Sequence, residues 1–228
     1  MCQNIRDLGG LRGRHGFTRA GAVIRSDCLT SLTVEGRNAM RAYGVTTVID
    51  LRSAGELLDR PNPLAVDPGS TVYLHRELVD DAYMNDIGDA GSMLDRYLFI
   101  VNTRPSAFRS IFEALADAEG AALFHCFAGK DRTGLVAAML LELAGVDAAD
   151  IAADYGETDV QLARQYERWI EAAAPDKRAA FVDELRCPPE RILGVIEHID
   201  RGWGGVASYL EAAGMSPSAI DRASAKLT

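Results

Sequence analysis

The chain has 228 residues, is 48% hydrophobic and 25% charged, and carries a formal net charge of −9 from 24 Lys and Arg against 33 Asp and Glu. This composition excludes disordered, collagen-like and disulfide-rich proteins, and the acidic balance disfavours nucleic acids and anionic membranes as partners. The length suits one substantial domain, and we expect a single domain over residues 1–228.

The cysteine pattern and the first residues indicate a protein of the cytoplasm. Cys2, Cys28, Cys126 and Cys187 form no CxxC pair, so zinc-ribbon and thioredoxin-type spacings are absent and reduced thiols are expected. The opening MCQNIRDLGG lacks the apolar core of a signal peptide, and no apolar run is long enough to span a membrane. Cytoplasmic localisation is therefore predicted, with signal-independent export left open.

The first half of the chain alternates strands with helices. A short strand is predicted at 22–25, and helical spacing over 32–43 ends at a glycine. The β-branched segment VTTVIDL at 45–51 predicts a strand that is covered on both faces. The proline-rich stretch 61–69 predicts a loop, and a further strand is expected at 71–75.

The second half begins with an acidic, glycine-containing stretch at 79–91, which predicts an exposed loop. A helix is expected over 105–118 and a short buried strand over 121–125. After a polar loop, the segment TGLVAAMLLELA at 133–144 is apolar almost all round, so this helix must be central. Charged helical segments fill the chain from residue 145 to its end.

Strands that alternate with helices predict an α/β fold with a central, mainly parallel sheet flanked by helices, and extra helices at the C-terminal end. In such sheets, ligands bind beyond the carboxyl ends of the strands. Three predicted strand ends carry polar residues, namely Asp50 with Arg52, His75, and His125. A functional site is therefore expected at this edge of the sheet.

The third strand end, HCFAGKDRTG at 125–134, carries the chemistry. Cys126 follows a buried strand, five residues intervene, and Arg132 stands at the mouth of a buried helix. A loop of this length can direct backbone N–H groups at a tetrahedral anion, while Arg132 adds a bidentate fork to phosphoryl oxygens. The predicted phosphate-binding residues are Phe127, Ala128, Gly129, Lys130, Asp131 and Arg132.

The same loop predicts an activated nucleophile. Backbone donors and the helix dipole lower the pKa of a cysteine in such a setting, so the Cys126 thiolate is expected to attack phosphorus and form a cysteinyl-phosphate, with no metal or cofactor. A buried structural cysteine is the common alternative for a lone thiol. His125 is expected to orient the site rather than act as a base. Thr133 could donate to the sulfur or cap the helix, and both roles remain open.

These residues resemble a known family. HCFAGKDRTG is similar to the HCxxGxxR(S/T) loop of the protein tyrosine phosphatase superfamily, in its HCxxGKDRTG form. The segments NIRDLGG at 4–10, RSDCL at 25–29 and DLRS at 50–53 resemble further landmarks of the bacterial branch, which contains mycobacterial tyrosine phosphatases and bacterial lipid phosphatases. The chain's ending is similar too, so the resemblance covers nearly the whole sequence.

The resemblance implies that Cys126 is the nucleophile and Arg132 the phosphate clamp. It also implies phosphotyrosine proteins as substrates, with phosphoserine, phosphothreonine and phosphoinositides as further substrates. An inositol-polyphosphate phosphatase, a sulfurtransferase and an inactive phosphoprotein-binding module are the rival functions. The sulfurtransferase is disfavoured because its loop does not need this spacing, and the binding module because both Cys126 and Arg132 are intact. The oligomeric state is not predicted.

The general acid is not fixed by the motif, because the superfamily usually takes an aspartate from a separate loop and no WPD tripeptide occurs. Asp131, inside the loop, is favoured over Asp80 and Asp81, which follow the 71–75 strand. The cations beside Asp131 favour its ionised form, which suits a base better than an acid until a phosphoryl dianion arrives. Alternatively, Asp131 pairs with a cation and fixes the loop.

For the residues around the loop, the sequence allows both a functional and a purely structural role. Lys130 resembles a residue associated with additional phosphates, but it could equally be a solvated charge. Asp50 and Arg52 either brace the site or form a plain ion pair. Cys28 is a candidate disulfide partner for Cys126. The helical region 155–203 either packs on the domain, as we prefer, or forms a lid over the site.

Overall fold

The computed structural model describes residues 2–86 and 91–228. Seven strands lie within these residues: β1 (Arg6–Asp7), β2 (Arg12–Gly13), β3 (Gly16–Phe17), β4 (Val23–Ser26), β5 (Val45–Asp50), β6 (Val72–His75) and β7 (Ala121–His125). Five of them form one sheet, in the order β1-β4-β7-β5-β6.

Helices surround this sheet in the described part of the chain. Their ranges are α1 (Val34–Ala42), α2 (Ala54–Asp59), α3 (Pro63–Val66), α4 (Asp81–Asp86), α5 (Met93–Thr103), α6 (Pro105–Asp117), α7 (Asp131–Leu143), α8 (Ala148–Gln161), α9 (Ala163–Ala172), α10 (Arg178–Leu185), α11 (Pro189–Trp203), α12 (Val206–Ala212) and α13 (Pro217–Ala225).

The sheet is parallel except at one edge. Strands β4, β7, β5 and β6 run parallel, and β1 pairs with β4 in the antiparallel sense. The register places His125 opposite both Ser26 and Asp50, and Asp50 opposite His75. The predicted mainly parallel sheet is confirmed, and its polar strand ends lie side by side because the parallel strands finish at the same level.

Helix α7 is central, as its composition predicts. Every residue from Arg132 to Leu141 is buried, so this helix packs apolar side chains all round. Its neighbours include β4, β7, α8, α11 and α12. Because α7 starts directly after the loop that follows β7, the sheet and the most buried helix of the fold together fix both ends of that loop.

The region after residue 145 is helical, as expected. Helix α11 packs against α5, α7, α8 and α12, and α13 packs against α6, so most of the added helices extend the main core. Helices α9 and α10 instead contribute to a small separate cluster, which contains Leu162, Tyr166 and Leu185. No helix in the described residues is long and apolar enough to cross a membrane.

Two loop predictions are wrong in part. The proline-rich stretch contains the short helix α3, because Asn62 caps its N-terminus and Pro63 suits its first position. The predicted exposed loop over 79–91 begins with a buried residue, Val79, and continues as helix α4, whose first turn is capped by Asp80 accepting the N–H of Tyr83. Residues 87–90 of that prediction lie outside the described residues.

Candidate active site

The loop between β7 and α7 has its carbonyl groups bound from outside. Asn4 Nδ2 donates to the carbonyl oxygens of Ala128 and Gly129, both at 3.0 Å. Arg25 Nη2 donates to the same oxygen of Gly129 at 2.8 Å. Since these carbonyls are occupied on the outer side, the loop is held in a shape that leaves backbone N–H groups available to an anion on the inner side.

Gly129 allows this loop to press against the end of β4. It has a φ of +68°, and a Cβ here would lie 2.6 Å from the carbonyl oxygen of Ser26 and from the nitrogen of Asp27. Nearby, the N–H of Cys28 donates to the carbonyl of Phe127 at 2.9 Å. A side chain at residue 129 would therefore require backbone to move as well as a strained φ.

A buried carboxylate in turn holds the residues that grip the loop. Asp154 on α8 pairs with Arg6 Nε at 2.8 Å and with Arg25 Nη1, and Arg6 Nη1 also donates to Asn4 Oδ1 at 2.5 Å. Burial raises the pKa of Asp154, but the charges of Arg25 and Arg6 outweigh this and lower it. Asp154 therefore carries the negative charge that Arg6 and Arg25 need in a buried setting.

Cys126 and Arg132 stand at the two ends of the loop. Cys126 is only 2% exposed, and Arg132 lies in the first turn of α7. Arg132 Nη2 donates to Glu56 Oε1 at 2.9 Å, and its Nη1 donates to Glu56 Oε2. Burial alone would lower the pKa of Arg132, but Glu56 and the charge of Cys126 outweigh it and raise it. The guanidinium is thus held in a fixed orientation by a bidentate pair.

Glu56 itself is fixed by the start of α2. Its Oε2 accepts the N–H of Ser53 at 2.8 Å, while Ser53 Oγ accepts the N–H of Glu56 at 3.2 Å, which completes a capping box. Burial raises the pKa of Glu56, but the hydrogen bond and charge of Arg132 outweigh this and lower it. Glu56 was not among the predicted site residues, although the spacing Ser-x-x-Glu after a strand is a signal for such a helix start.

His125 orients the peptide of the neighbouring cysteine. Its Nδ1 lies 3.0 Å from the carbonyl oxygen of Cys126, and its Nε2 lies 3.1 Å from Asn62 Nδ2 and 3.3 Å from Asp50 Oδ2. Burial lowers the pKa of His125, and this outweighs the opposing charge of Asp50. Burial thus opposes a positive charge on the imidazole, even with Asp50 within reach of Nε2.

Asp50 and Arg52 form a fully buried ion pair beneath the site. Arg52 Nη2 donates to Asp50 Oδ2 at 2.7 Å, and its Nε donates to Oδ1 at 3.0 Å. Tyr73 OH also donates to Asp50 Oδ2, at 3.0 Å. Burial raises the pKa of Asp50, but the hydrogen bonds from Arg52 and the neighbouring charges lower it to about 2. Asp50 Oδ2 also lies 3.3 Å from His125 Nε2, so the pair contacts the residue that precedes Cys126.

Lys130 and Asp131 are tied to each other and to their surroundings. Lys130 is 4% exposed, and its Nζ lies 3.1 Å from Asp131 Oδ1 and 2.5 Å from the carbonyl oxygen of Glu184. Of the two alternatives for Lys130, the solvated charge is therefore wrong, because α10 covers the side chain, and the role with additional phosphates stays a prediction. Asp131 also accepts a hydrogen bond from Tyr97 OH. Burial raises the pKa of Asp131, but Lys130 and Tyr97 outweigh this and lower it.

Asp80 and Asp81 are occupied by contacts of their own. Asp80 Oδ2 pairs with Arg104 at 2.8 Å, and the N–H of Tyr83 and the charge of Arg104 lower the pKa of Asp80. Asp81 accepts hydrogen bonds from Ser53 Oγ and from the N–H of Gly55, the latter at 2.8 Å. Both carboxylates thus stabilise helix starts, at α4 and α2 respectively.

Comparison with known proteins decides the family. The model of the tyrosine phosphatase family matches residues 1–228. The chain belongs to this family. The triple specificity protein phosphatase PtpB of Mycobacterium tuberculosis is 32% identical over 90% of this chain and 90% of its own length. A tyrosine-protein phosphatase of Nostoc commune is 30% identical over 91% of this chain and 74% of its own length.

The resemblance to the bacterial tyrosine phosphatases is therefore confirmed, and the chain is a tyrosine-phosphatase-type enzyme. Among solved structures, TpbA of P. aeruginosa matches 73% of this phosphatase and 89% of its own chain, with 17% identity and a TM-score of 0.41.

The phosphatase has a cavity of about 720 Å³ between its loop and helices α9 and α10. From the loop side, Phe127 stacks on Trp169 with ring centroids 6.2 Å apart. Arg60 places its guanidinium 5.1 Å from the centroid of the Phe127 ring. The cavity lining is completed by side chains that include Ala128, Lys130, Asp131, Lys177, Phe181, Glu184 and Leu185.

Thr133 and Cys28, for which roles beside Cys126 were predicted, make few side-chain hydrogen bonds in the described part of the phosphatase. Thr133 Oγ1 is buried and has no hydrogen-bond partner among the described residues, so it does not cap α7. Cys28 has a free thiol whose Sγ lies 3.4 Å from Thr30 Oγ1. A disulfide between Cys28 and Cys126 stays a prediction.

Proposed function

We propose that this tyrosine phosphatase is a metal-independent phosphomonoester hydrolase that works through a cysteinyl-phosphate at Cys126. The observation that carries the proposal is the fixed pair of Glu56 with Arg132 across the loop, because a guanidinium held in this way presents its remaining N–H groups to an anion beside the thiol. The loop residues Phe127 to Arg132 would bind the phosphoryl oxygens through their backbone N–H groups.

In the first step, the Cys126 thiolate forms an S–P bond while the bond from phosphorus to the ester oxygen breaks. Asp131 would give its proton to the leaving oxygen. In the second step, water attacks phosphorus, Asp131 takes back a proton from that water, and the S–P bond breaks to release inorganic phosphate. The unpaired hydroxyl of Thr133 is a donor available to the departing thiolate.

The choice of Asp131 for this proton transfer rests on its position. Asp131 lines the cavity at the loop, whereas Asp80 and Asp81 are not among the cavity's described lining residues and already serve helix starts. The pKa of Asp131 is lowered in the free enzyme, chiefly because Lys130 and Tyr97 outweigh burial. A phosphoryl dianion in the loop raises that pKa, so Asp131 would take up its proton as the substrate binds.

Phosphotyrosine is the proposed main substrate. Phe127 and Trp169 form an aromatic wall at the loop, and such a wall suits a phenyl ring by stacking. The related mycobacterial enzyme is named a triple specificity phosphatase. We extend this to phosphoserine, phosphothreonine and phosphoinositides as further substrates, with Lys130 as a donor to an additional phosphate once its bond to Glu184 is released.

Of the two alternatives for the helical region 155–203, we preferred packing on the sequence alone, but we now propose that its helices α9 and α10 form a lid within a single phosphatase domain of residues 1–228. Three contacts support this: the Lys130 bond to the Glu184 carbonyl, the stacking of Phe127 on Trp169, and the packing of Ala128 on the cluster of Leu162, Tyr166 and Leu185. These contacts join the lid to the loop directly. A shift of α9 and α10 would therefore open the cavity and free Lys130 together.

The proposal is tested by measuring phosphate release from an aryl phosphate in the presence of EDTA. We expect the wild type and the matched control Cys2→Ser to be active, and Cys126→Ser to be inactive. Turnover by Cys126→Ser would refute the mechanism. A panel of phosphotyrosine and phosphoserine peptides, phosphoinositides and inositol polyphosphates then ranks the substrates, and preference for inositol polyphosphates would support that rival function.

A further inference from the structure

Asn62 stands behind the nucleophile, at a place where the sequence shows no motif. It is fully buried, and it lies directly before α3. Its Oδ1 accepts the N–H of Leu64 at 3.0 Å, so the amide orientation is fixed and Nδ2 points in the opposite direction. That nitrogen lies 3.1 Å from His125 Nε2 and 3.3 Å from Asp50 Oδ2. The two hydrogens of one amide group thus serve two acceptors.

The tautomer of His125 follows from these contacts. The carbonyl of Cys126 can only accept, so the hydrogen of the imidazole must be on Nδ1, 3.0 Å from that oxygen. Because Asn62 Nδ2 can only donate, Nε2 of His125 must be the acceptor. The imidazole is then neutral, with both of its ring nitrogens satisfied.

Asn62 also separates His125 from a charge. Asp50 Oδ2 is 3.3 Å from His125 Nε2, close enough to take a direct hydrogen bond from a protonated ring. Two further charges act on the pKa of the ring: Arg52, which is bound to Asp50, lowers it, and Asp27, which follows β4, raises it. Without a donor at residue 62, Nε2 and Asp50 would face each other with no hydrogen between them, and a proton would bind there.

We propose that Asn62 is a positioning residue that keeps His125 neutral, with its one ring hydrogen on Nδ1, and so keeps a full positive charge from forming beside Cys126. This role rests on the proposed function of Cys126 as nucleophile. The N–H of His125 draws the Cys126 carbonyl dipole toward the imidazole and away from the loop's interior. The negative end of that dipole is therefore kept from the thiolate and from the phosphoryl oxygens.

The direct test is nitrogen NMR of ¹⁵N-labelled histidine at pH 7, in a chain with only 4 histidines. The wild type should show His125 with a protonated Nδ1 and an unprotonated Nε2. Asn62→Leu is the informative variant, since leucine is similar in size, adds no charge and cannot donate to Nε2, and it should give a doubly protonated His125. A doubly protonated or Nε2–H His125 in the wild type would overturn the proposal.

Tyr73→Phe is the matched control, because it removes a different donor from the same Asp50 oxygen. His125 should stay neutral in this variant, and a doubly protonated ring here would show that Asn62 has no special role. In Asn62→Leu, one positive charge is gained beside Cys126 as His125 is protonated. The midpoint of Cys126 alkylation by iodoacetamide should then fall by about one pH unit. A rise of that midpoint would contradict the proposal.

The two proposals fail separately. An active Cys126→Ser with the expected His125 signals would end the role of Cys126 and leave the tautomer assignment intact. An inactive Cys126→Ser with a doubly protonated wild-type His125 would end the role of Asn62 alone.

Discussion

Glu56 accepts hydrogen bonds from both terminal nitrogens of Arg132, and the same carboxylate closes the capping box of helix α2 with Ser53. The orientation of the proposed phosphate clamp is therefore set by a helix that follows a different strand. The side chains of Glu56 and Arg132 thus join the start of α2, which follows β5, to the start of α7.

Glu56→Gln should separate the charge of this residue from its capping role. Glutamine still accepts the N–H of Ser53, so the capping box should persist and the free energy of unfolding should fall by no more than the value of the Arg132 bond. The charge-assisted bond to Arg132 is lost, which at about 1.5–3 kcal/mol predicts a tenfold to hundredfold fall in kcat/KM on an aryl phosphate. Steady-state kinetics and urea unfolding check both parts, and an unchanged kcat/KM would contradict the role given to Glu56.

Gly129→Ala should disrupt the loop, because a Cβ there meets the backbone of Ser26 and Asp27 at 2.6 Å and the residue has a φ of +68°. Gly10→Ala is the matched control, since Gly10 has a φ of +85° but no atom within 4 Å of its Cβ position. Both variants bear the left-handed strain of about 1–2 kcal/mol. Only Gly129→Ala should also lose more than about tenfold in kcat/KM. Equal activity losses would show that loop shape is not the cause.

Asp131→Asn should reveal a proton donor through its dependence on the leaving group. General acid catalysis contributes about a hundredfold or more, so kcat/KM for phenyl phosphate, which reports the step that forms the cysteinyl-phosphate, should fall by at least that factor. A nitrophenyl phosphate, whose leaving group needs no proton, should lose much less. The controls are Asp80→Asn and Asp81→Asn, which should affect stability through α4 and α2. If Asp81→Asn shows the leaving-group dependence instead, the assignment to Asp131 is wrong.

Lys130→Met should loosen helices α9 and α10, because it removes the bond from Nζ to the Glu184 carbonyl. A bond to a charged donor is worth about 1.5–3 kcal/mol, so trypsin should cut at the exposed Lys177 and Arg178 tenfold faster or more. Lys226→Met is the matched control, since Lys226 also donates to backbone carbonyls, at Ala118 and Gly120. Cleavage at an unchanged rate in Lys130→Met would contradict a lid held by this contact.

The sequence predicts the parts of the site that depend on local pattern. The parallel sheet was predicted correctly, and parallel pairing is what brings the strand ends at Asp50, His75 and His125 to one level. The loop from Cys126 to Arg132 follows the expected strand. The partners that hold these residues depend on side chains that meet only in the folded chain. Glu56 and Asn62 lie in a segment whose capping signals predict helix starts but not what the same side chains also contact.

The sequence pattern also could not predict which loop residues are buried by helices that lie far away in the chain. From the sequence, Lys130 could be a solvated charge beside Asp131. Its burial under α10 could not be predicted, because the carbonyl of Glu184 that it binds lies 54 residues away in the chain. The start of α4 was not predicted because the local composition was misleading. The acidic composition around Asp80 and Asp81 is typical of an exposed loop, yet Asp80 serves as a helix cap there.

Cys126 is proposed to carry the phosphoryl group during turnover, and the most direct measurement is mass spectrometry of the enzyme after rapid acid quench during turnover of an aryl phosphate. We expect the wild-type peptide containing Cys126 to gain the mass of one phosphoryl group, and Cys126→Ser neither to gain it nor to release phosphate. A wild-type peptide without this mass, together with phosphate release by Cys126→Ser, would contradict the role of Cys126.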